Sequence, residues 1–268
     1  MKKILIASLA TATILSQAIA LANVTGTVFD VGQGDSILFN KDGKNVLIDC
    51  GPKDADNKLT SNYLSKVSSI DYLIITHPHD DHTGELKEVI ETGKVKSLYM
   101  SNWKSYCTKD YTTLYNLCKS YKVPVHIITK NTTLFKGVTL NPPNCVPEKD
   151  INGYSIITKV DDGNVHLLFT GDATKEREKE FMTFSKGKVD LLKVGHHGST
   201  TASLTAFIKS IQPKYSVISV GANNRYKLPN NSTIQKLLKV GSKVYRTDIN
   251  GCITFSSNTR TLKVSTEK

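Results

Sequence analysis

From Val24 onward, apolar residues fall into short runs separated by glycine, aspartate and asparagine. Runs over 25–29, 36–39 and 45–49 read as strands of a hairpin meander, with Lys41-Asp42-Gly43-Lys44 as the turn between the last two. Leu59, Tyr63, Leu64 and Val67 recur at helical spacing, which predicts a helix over 59–67. Residues 71–76 form a buried strand that runs into a polar loop. Helix and strand then alternate: helix 85–92, strand 96–100, helix 111–121, strand 125–128. Residues 131–150 carry three prolines and several asparagines, and read as a long connection inside one domain. Beyond them, strands 154–160 and 166–170 make a hairpin around Asp161-Asp162-Gly163-Asn164. Helix 174–184, strand 190–194, helix 203–210, strand 215–220, helix 232–239 and closing strands near 243–246 and 252–255 follow. Two β-rich halves with helices outside predict an α/β fold of the four-layer αββα sandwich type.

The first residues change the picture of the compartment. Lys2 and Lys3 precede an uncharged run from Ile4 to Ala22, which has the form of a secretory signal peptide. The expectation is a signal segment over 1–22 and a mature domain over 23–268, secreted or periplasmic. Cleavage after Ala20 or Ala22 satisfies the small-residue rule, and Ala22 is preferred. A retained N-terminal anchor is the alternative, at the short end of what spans a bilayer. After cleavage no stable membrane span is expected.

Removing Lys2 and Lys3 takes the formal charge from +11 to +9, so the mature chain stays basic. A basic surface gathers polyanions such as nucleic acid, teichoic acid or phospholipid head groups. The lysines are scattered, however, and scattered lysines serve solubility equally well. The five cysteines (Cys50, Cys107, Cys118, Cys145 and Cys252) lack the paired spacing of a zinc site and read as structural. The odd count leaves at least one unpaired, and the central three are the expected partners of one another.

The chemistry concentrates in Thr76-His77-Pro78-His79-Asp80-Asp81-His82-Thr83-Gly84, directly after a strand. Three imidazoles and two carboxylates fall within six residues. Alternation across a tight turn puts His77 and His79 on one side and Asp81 and His82 on another, so one loop can ligate two cations. Imidazole with carboxylate suits zinc, manganese or iron.

This segment carries the HxHxDH pattern that defines the metallo-β-lactamase superfamily, and the chain resembles that family further along. Asp30-Val31-Gly32-Gln33-Gly34-Asp35-Ser36, Leu47-Ile48-Asp49-Cys50-Gly51, Leu168-Phe169-Thr170-Gly171-Asp172 and Leu191 to Ser199, which contains Gly195-His196-His197-Gly198, resemble the hydrolase domain of ComEC-type competence proteins in order. Tyr245-Arg246-Thr247-Asp248 with Gly251 resembles their closing segment. The resemblance implies a hydrolase that holds two divalent metal ions through His77, His79, Asp81, His82, Asp172 and His196, with His197 as the substitute for His196. Asp172 would bridge the ions, and Asp81 and Asp172 would carry the catalytic role. Water activated by the metals, not a side chain, would be the nucleophile. Asp35 and Asp49 could orient histidines from behind. Lys193, Ser199 and Asn223 are placed at the substrate, a phosphorylated compound with nucleic acid among the options. His126 and His166 read as structural.

Two departures from the family pattern stand out. A metal-binding histidine found in many members between the HxHxDH loop and the later aspartate is absent, with only Asn152 and Ser155 in that stretch. Where relatives tend to have His-Pro, this chain has Leu228-Pro229. The implied activity is that of a phosphodiesterase or nuclease. The same motifs resemble a phosphorylcholine esterase, and a non-catalytic metal-binding or scaffolding protein on the same fold is the reading from another class.

Overall fold

The computed structural model describes residues 23–53, 59–104, 108–144 and 150–268. The expected signal segment therefore lies outside the described residues, as do Cys107 and Cys145. Two mixed sheets face each other. The first contains β1 (Val24–Val28), β2 (Ile37–Lys41), β3 (Lys44–Ile48), β4 (Tyr72–Ile75), β5 (Leu98–Ser101) and β6 (Val125–Ile128). The second contains β7 (Thr132–Phe135), β8 (Val138–Asn141), β9 (Ile157–Asp162), β10 (Val165–Phe169), β11 (Leu191–Lys193), β12 (Tyr215–Ile218) and β13 (Lys243–Arg246). The chain then returns to the first sheet with β14 (Ile253–Ser257) and β15 (Leu262–Thr266). The strand orders are β15-β14-β1-β2-β3-β4-β5-β6 and β13-β12-β11-β10-β9-β8-β7.

The four layers follow from strands that are apolar on both faces. In β4, Ile74 joins the cluster between the sheets while Leu73 and Ile75 join the cluster under the helices outside the first sheet. In β10, Val165, Leu167 and Phe169 point between the sheets while Leu168 meets helices outside the second. Successive side chains of a strand alternate faces, so each central strand stitches two cores together. The Phe39 and Phe169 rings, stacked at 5.7 Å between centroids, bridge the sheets. Helices Leu86–Glu91 and Thr108–Ser120 cover the first sheet, and Lys175–Phe184, Thr205–Ile211 and Asn231–Lys239 the second.

The strand readings survive with shifts of a few residues, but three elements differ. The stretch over 131–150 contains the β7–β8 hairpin, which turns at Gly137. The helix expected over 59–67 is a single turn, Leu59–Asn62. Strands β13 and β14 close different sheets, and β15 follows as the edge of the first. Cys50, Cys118 and Cys252 are free, and Cys50 and Cys118 are fully buried in apolar surroundings, so the expected pairing of the central cysteines does not include Cys118. Among the described residues, no helix is long and apolar enough to cross a membrane.

What positions the site is the parallel part of each sheet. Strands β3 to β6 run parallel, and so do β10 to β13. Their C-terminal ends deliver Asp49 after β3, His77 after β4, Asp172 after β10, His196 and His197 after β11, and the loop from Ser219 after β12. Loops at these strand ends are where open α/β sheets hold ligands.

Candidate metal centre

His77 follows closely on the end of β4, and His79, itself extended, stands at the N-cap position of a helical turn, Asp80–Thr83, which swings Asp81 and His82 to a different side. Two groups of ligand atoms result around Asp172, beside a third made of Asp35, Asp49 and His82. Asp81, His82, Asp172 and His197 form one, and His77, His79 and Asp172 the other, with the atoms of each group within 4.8 Å of one another. Asp172 belongs to both. Its Oδ1 lies 3.3 Å from His82 Nε2, and its Oδ2 lies 3.6 Å from His197 Nε2 and 4.0 Å from His77 Nε2.

The backbone that places Asp172 is tightly specified. Gly171 has φ +52°, and a Cβ there would stand 2.9 Å from the Thr76 side chain, so only glycine lets the two loops meet. The Asp172 N–H donates to Ser155 Oγ at 3.2 Å, and the buried Arg177 donates to the Ser155 carbonyl from the other side. Ser155 thus serves as support for the backbone that carries Asp172. Gly34 is required for a similar reason, since a Cβ would lie 2.4 Å from the Asp81 carbonyl oxygen.

Asp49 orients the histidines from behind. Its Oδ2 accepts from His82 Nδ1 at 2.7 Å, which aims His82 Nε2 at Asp172. Asp49 also accepts from the Thr76 N–H and Thr76 Oγ1, both at 2.8 Å. With the hydroxyl proton spent on Asp49, Thr76 Oγ1 accepts from His77 Nδ1 at 3.0 Å, which leaves Nε2 as the ring's lone-pair atom, 3.1 Å from His79 Nδ1. His197 Nδ1 donates to the Ser219 carbonyl at 2.9 Å, so its Nε2 faces Asp81 at 3.1 Å.

Electrostatics point the same way. Burial pushes the His82 imidazole down, but the Asp172 and Asp49 carboxylates more than offset this and hold it well above its ordinary value. Burial would raise Asp172, yet His197 and His82 keep its carboxyl well below the usual range. His77 is driven well below its ordinary value by burial, with His82 adding to the effect, and is therefore neutral. His82 Nε2 and Asp172 Oδ1 are buried without a hydrogen-bond partner. A buried cluster of converging imidazole and carboxylate atoms with unsatisfied lone pairs fits divalent cations, which would supply the missing partners.

Several residues expected at the site sit elsewhere. His196 is outside both groups, and its neighbour His197 takes the inward position. His196 Nδ1 is held by Thr201 Oγ1 at 2.6 Å, and its partly exposed ring brings Nε2 to 3.6 Å from Asp172 Oδ2 on the cavity side. Lys193 is fully buried in an ion pair with Asp35 and cannot reach a substrate. Asp35 in turn lies 3.6 Å from His197 Nδ1 and 4.0 Å from His82 Nδ1, so the pair forms the back wall of the site. Asn223 is exposed outside the cavity, where Asn224 lines the wall instead. Ser199 does line the cavity. His126 and His166 lie on β6 and β10, away from the metal groups, with His166 paired to Asp161.

Above the metal groups opens a cavity of about 1150 Å³ whose floor includes His79, Asp81, Asp172 and His197. Its mouth carries Lys53, Arg225 and Tyr226, none of which composition or motif reading had singled out. An arginine beside a tyrosine in a loop otherwise rich in glycine and asparagine was the available signal.

An αββα sandwich with such a centre defines a class, and the chain belongs to the metallo-β-lactamase superfamily, whose model matches residues 29–222. It is a metal-dependent hydrolase of that fold, and the fold is one that holds a dimetal site. Within the superfamily it is related to competence proteins. It is 31% identical over 256 residues to ComE operon protein 3 of Bacillus subtilis (strain 168), covering 87% of this chain and 33% of that protein. It is 30% identical over 230 residues to Recombination protein 2 of Haemophilus influenzae, covering 83% of this chain and 27% of that protein. The chain thus spans about a third of the length of these relatives. Among solved structures it resembles the metallo-β-lactamase fold protein YhfI from Bacillus subtilis, with a TM-score of 0.55, 14% identity, and coverage of 84% of this chain and 96% of that one.

Proposed function

We propose that the chain is an exported phosphodiesterase that cleaves polynucleotide with the help of two divalent cations. The observation that carries this reading is Asp172, one carboxylate shared by two ligand groups on the floor of an open cavity. Two bound cations would supply Lewis-acid charge to a water nucleophile and to both oxygens of an in-line displacement at phosphorus. His77 and His79 would hold one ion and Asp81, His82 and His197 the other, with Asp172 fixing their spacing. Zinc, manganese and iron all suit this donor set. His196, anchored through Nδ1 to Thr201, would present Nε2 to the cavity, where it can hold or give a proton at the departing oxygen.

The kinship with competence proteins and the formal charge of +9 that remains without Lys2 and Lys3 both favour a polyanionic substrate. Export rests on Lys2, Lys3 and the uncharged run to Ala22, and N-terminal sequencing of the native protein should begin near Asn23. Intact Met1 at the N-terminus would refute cleavage.

The test is hydrolysis of bis-p-nitrophenyl phosphate by the metal-loaded protein, with elemental analysis of the same preparation. Turnover abolished by chelation and restored by zinc or manganese is the expected result. A metal-loaded protein without turnover on this diester or on DNA would move the non-catalytic binding role ahead. That role takes its support from the group of His77, His79 and Asp172, which has one ligand fewer than the other.

A further inference from the structure

The loop after β12 is fastened at both ends. Asn224 Nδ2 donates to the carbonyls of Gly221 at 3.0 Å and Leu228 at 2.7 Å, and its Oδ1 accepts from the Leu228 N–H at 3.0 Å. Asn230 ties the far end to the loop that carries His197: its N–H donates to the Gly198 carbonyl at 3.1 Å, and its Oδ1 accepts from the Thr200 N–H at 3.0 Å. This closed loop holds Arg225 and Tyr226 at the mouth of the cavity.

The two side chains form a layered unit. The Arg225 guanidinium lies over the Tyr226 ring at 4.8 Å from its centroid and donates to the phenol oxygen at 2.5 Å. Tyr226 is nevertheless 53% exposed, so Arg225 leaves much of its surface open to solvent. Lys53 faces the same cavity, and exposed Lys227 follows in the loop. Among the described lining residues, Asp80 is the one carboxylate outside the two metal groups.

We propose that Tyr226, backed by Arg225, is a stacking platform for an unpaired base next to the scissile phosphate, and that it makes the site select single-stranded polynucleotide. The inference rests on the phosphodiesterase reading and adds the form of the substrate. A flat π-surface beside cationic groups matches a strand whose bases stack while its phosphates meet Arg225 and Lys53. Stacking needs a base out of its duplex, because a paired base has both faces covered. The same arrangement disfavours a quaternary ammonium such as choline. That ligand binds aromatic faces as a cation, whereas here Arg225 already occupies one ring face and its charge, with that of Lys53, repels another cation.

The test measures binding, so that it does not depend on turnover. Fluorescence anisotropy of metal-loaded protein would use three phosphorothioate-linked probes of equal length, which resist hydrolysis: an oligothymidine strand, an abasic strand, and a duplex. Wild type should bind the oligothymidine about 5- to 150-fold more tightly than the abasic strand, the range for one stacked base. Tyr226→Phe should keep that ratio and Tyr226→Ala should bring it close to one. Arg225→Gln should weaken both single strands together and reduce the salt dependence of binding. A Tyr226→Ala protein that keeps the base preference, or a wild type that binds duplex as well as oligothymidine, overturns the platform. Failure of the diesterase assay with the binding pattern intact would instead count against catalysis alone.

Discussion

Replacing Lys193 by Met isolates the back wall of the site. Lys193, the last residue of β11, and Asp35 are paired with side chains 0% and 1% exposed, and Asp35 lies behind His197 and His82. Methionine keeps the length and apolar stem but leaves the Asp35 carboxylate buried without its partner. Breaking a buried pair from one side costs about 3–5 kcal/mol, a large share of the roughly 5–15 kcal/mol that holds a domain folded. The imidazoles of His197 and His82, both held above their ordinary values, already place positive charge 3.6 Å and 4.0 Å from Asp35 and offset part of this, so the lower end of the range is expected. The assay is urea unfolding of the metal-free protein, which keeps metal linkage out of the comparison. The double variant Lys193→Met with Asp35→Asn, which removes both charges, should recover most of the loss. If Lys193 were instead a surface contact to substrate phosphate, Lys193→Met would stay within about 0.5 kcal/mol of wild type. That result would refute the buried-pair account.

Other consequences follow from the same geometry. His197→Ala should lower the metal content by elemental analysis, whereas His196→Ala should leave it unchanged; the reverse pattern would return the ligand role to His196. Burial raises the Glu178 carboxyl from 4.5 to about 7 although it accepts from the Ser203 and Leu204 N–H groups. The folded state therefore keeps a proton that the unfolded chain releases between these values. Stability from this group is full below 4.5 and is lost as pH rises to about 7, a fall of at most ~3 kcal/mol. Glu178→Gln should flatten that limb in urea titrations at several pH values, and an unchanged slope would show that Glu178 is not its source.

The parts of this architecture legible in the sequence are those written locally. The density of ligands from His77 to His82 after an apolar strand needs no distant information. Strands such as Val125–Ile128 and Lys243–Arg246 announce themselves by composition. What stayed hidden depends on partners far along the chain. Residues 132–141 look like loop because threonine, asparagine and the nearby prolines mask a hairpin whose apolar Val138 and Leu140 are sealed only by β9. Lys193 looks like a surface cation until Asp35 arrives from the other sheet to neutralise it. His196 and His197 are adjacent, both in left-handed backbone with φ near 49° and 50°, and only the fold of that turn decides which ring enters the metal group.

The central claim, a shared carboxylate that sets two cations for diester cleavage, is tested most directly by Asp172→Ala. Turnover of bis-p-nitrophenyl phosphate should be measured at saturating zinc or manganese, with metal content determined on the same samples. The account predicts a fall in kcat of about a hundredfold or more, the scale of losing a principal electrostatic contribution at the reacting centre, together with less metal per chain. Wild-type kcat in a metal-saturated Asp172→Ala protein would contradict it.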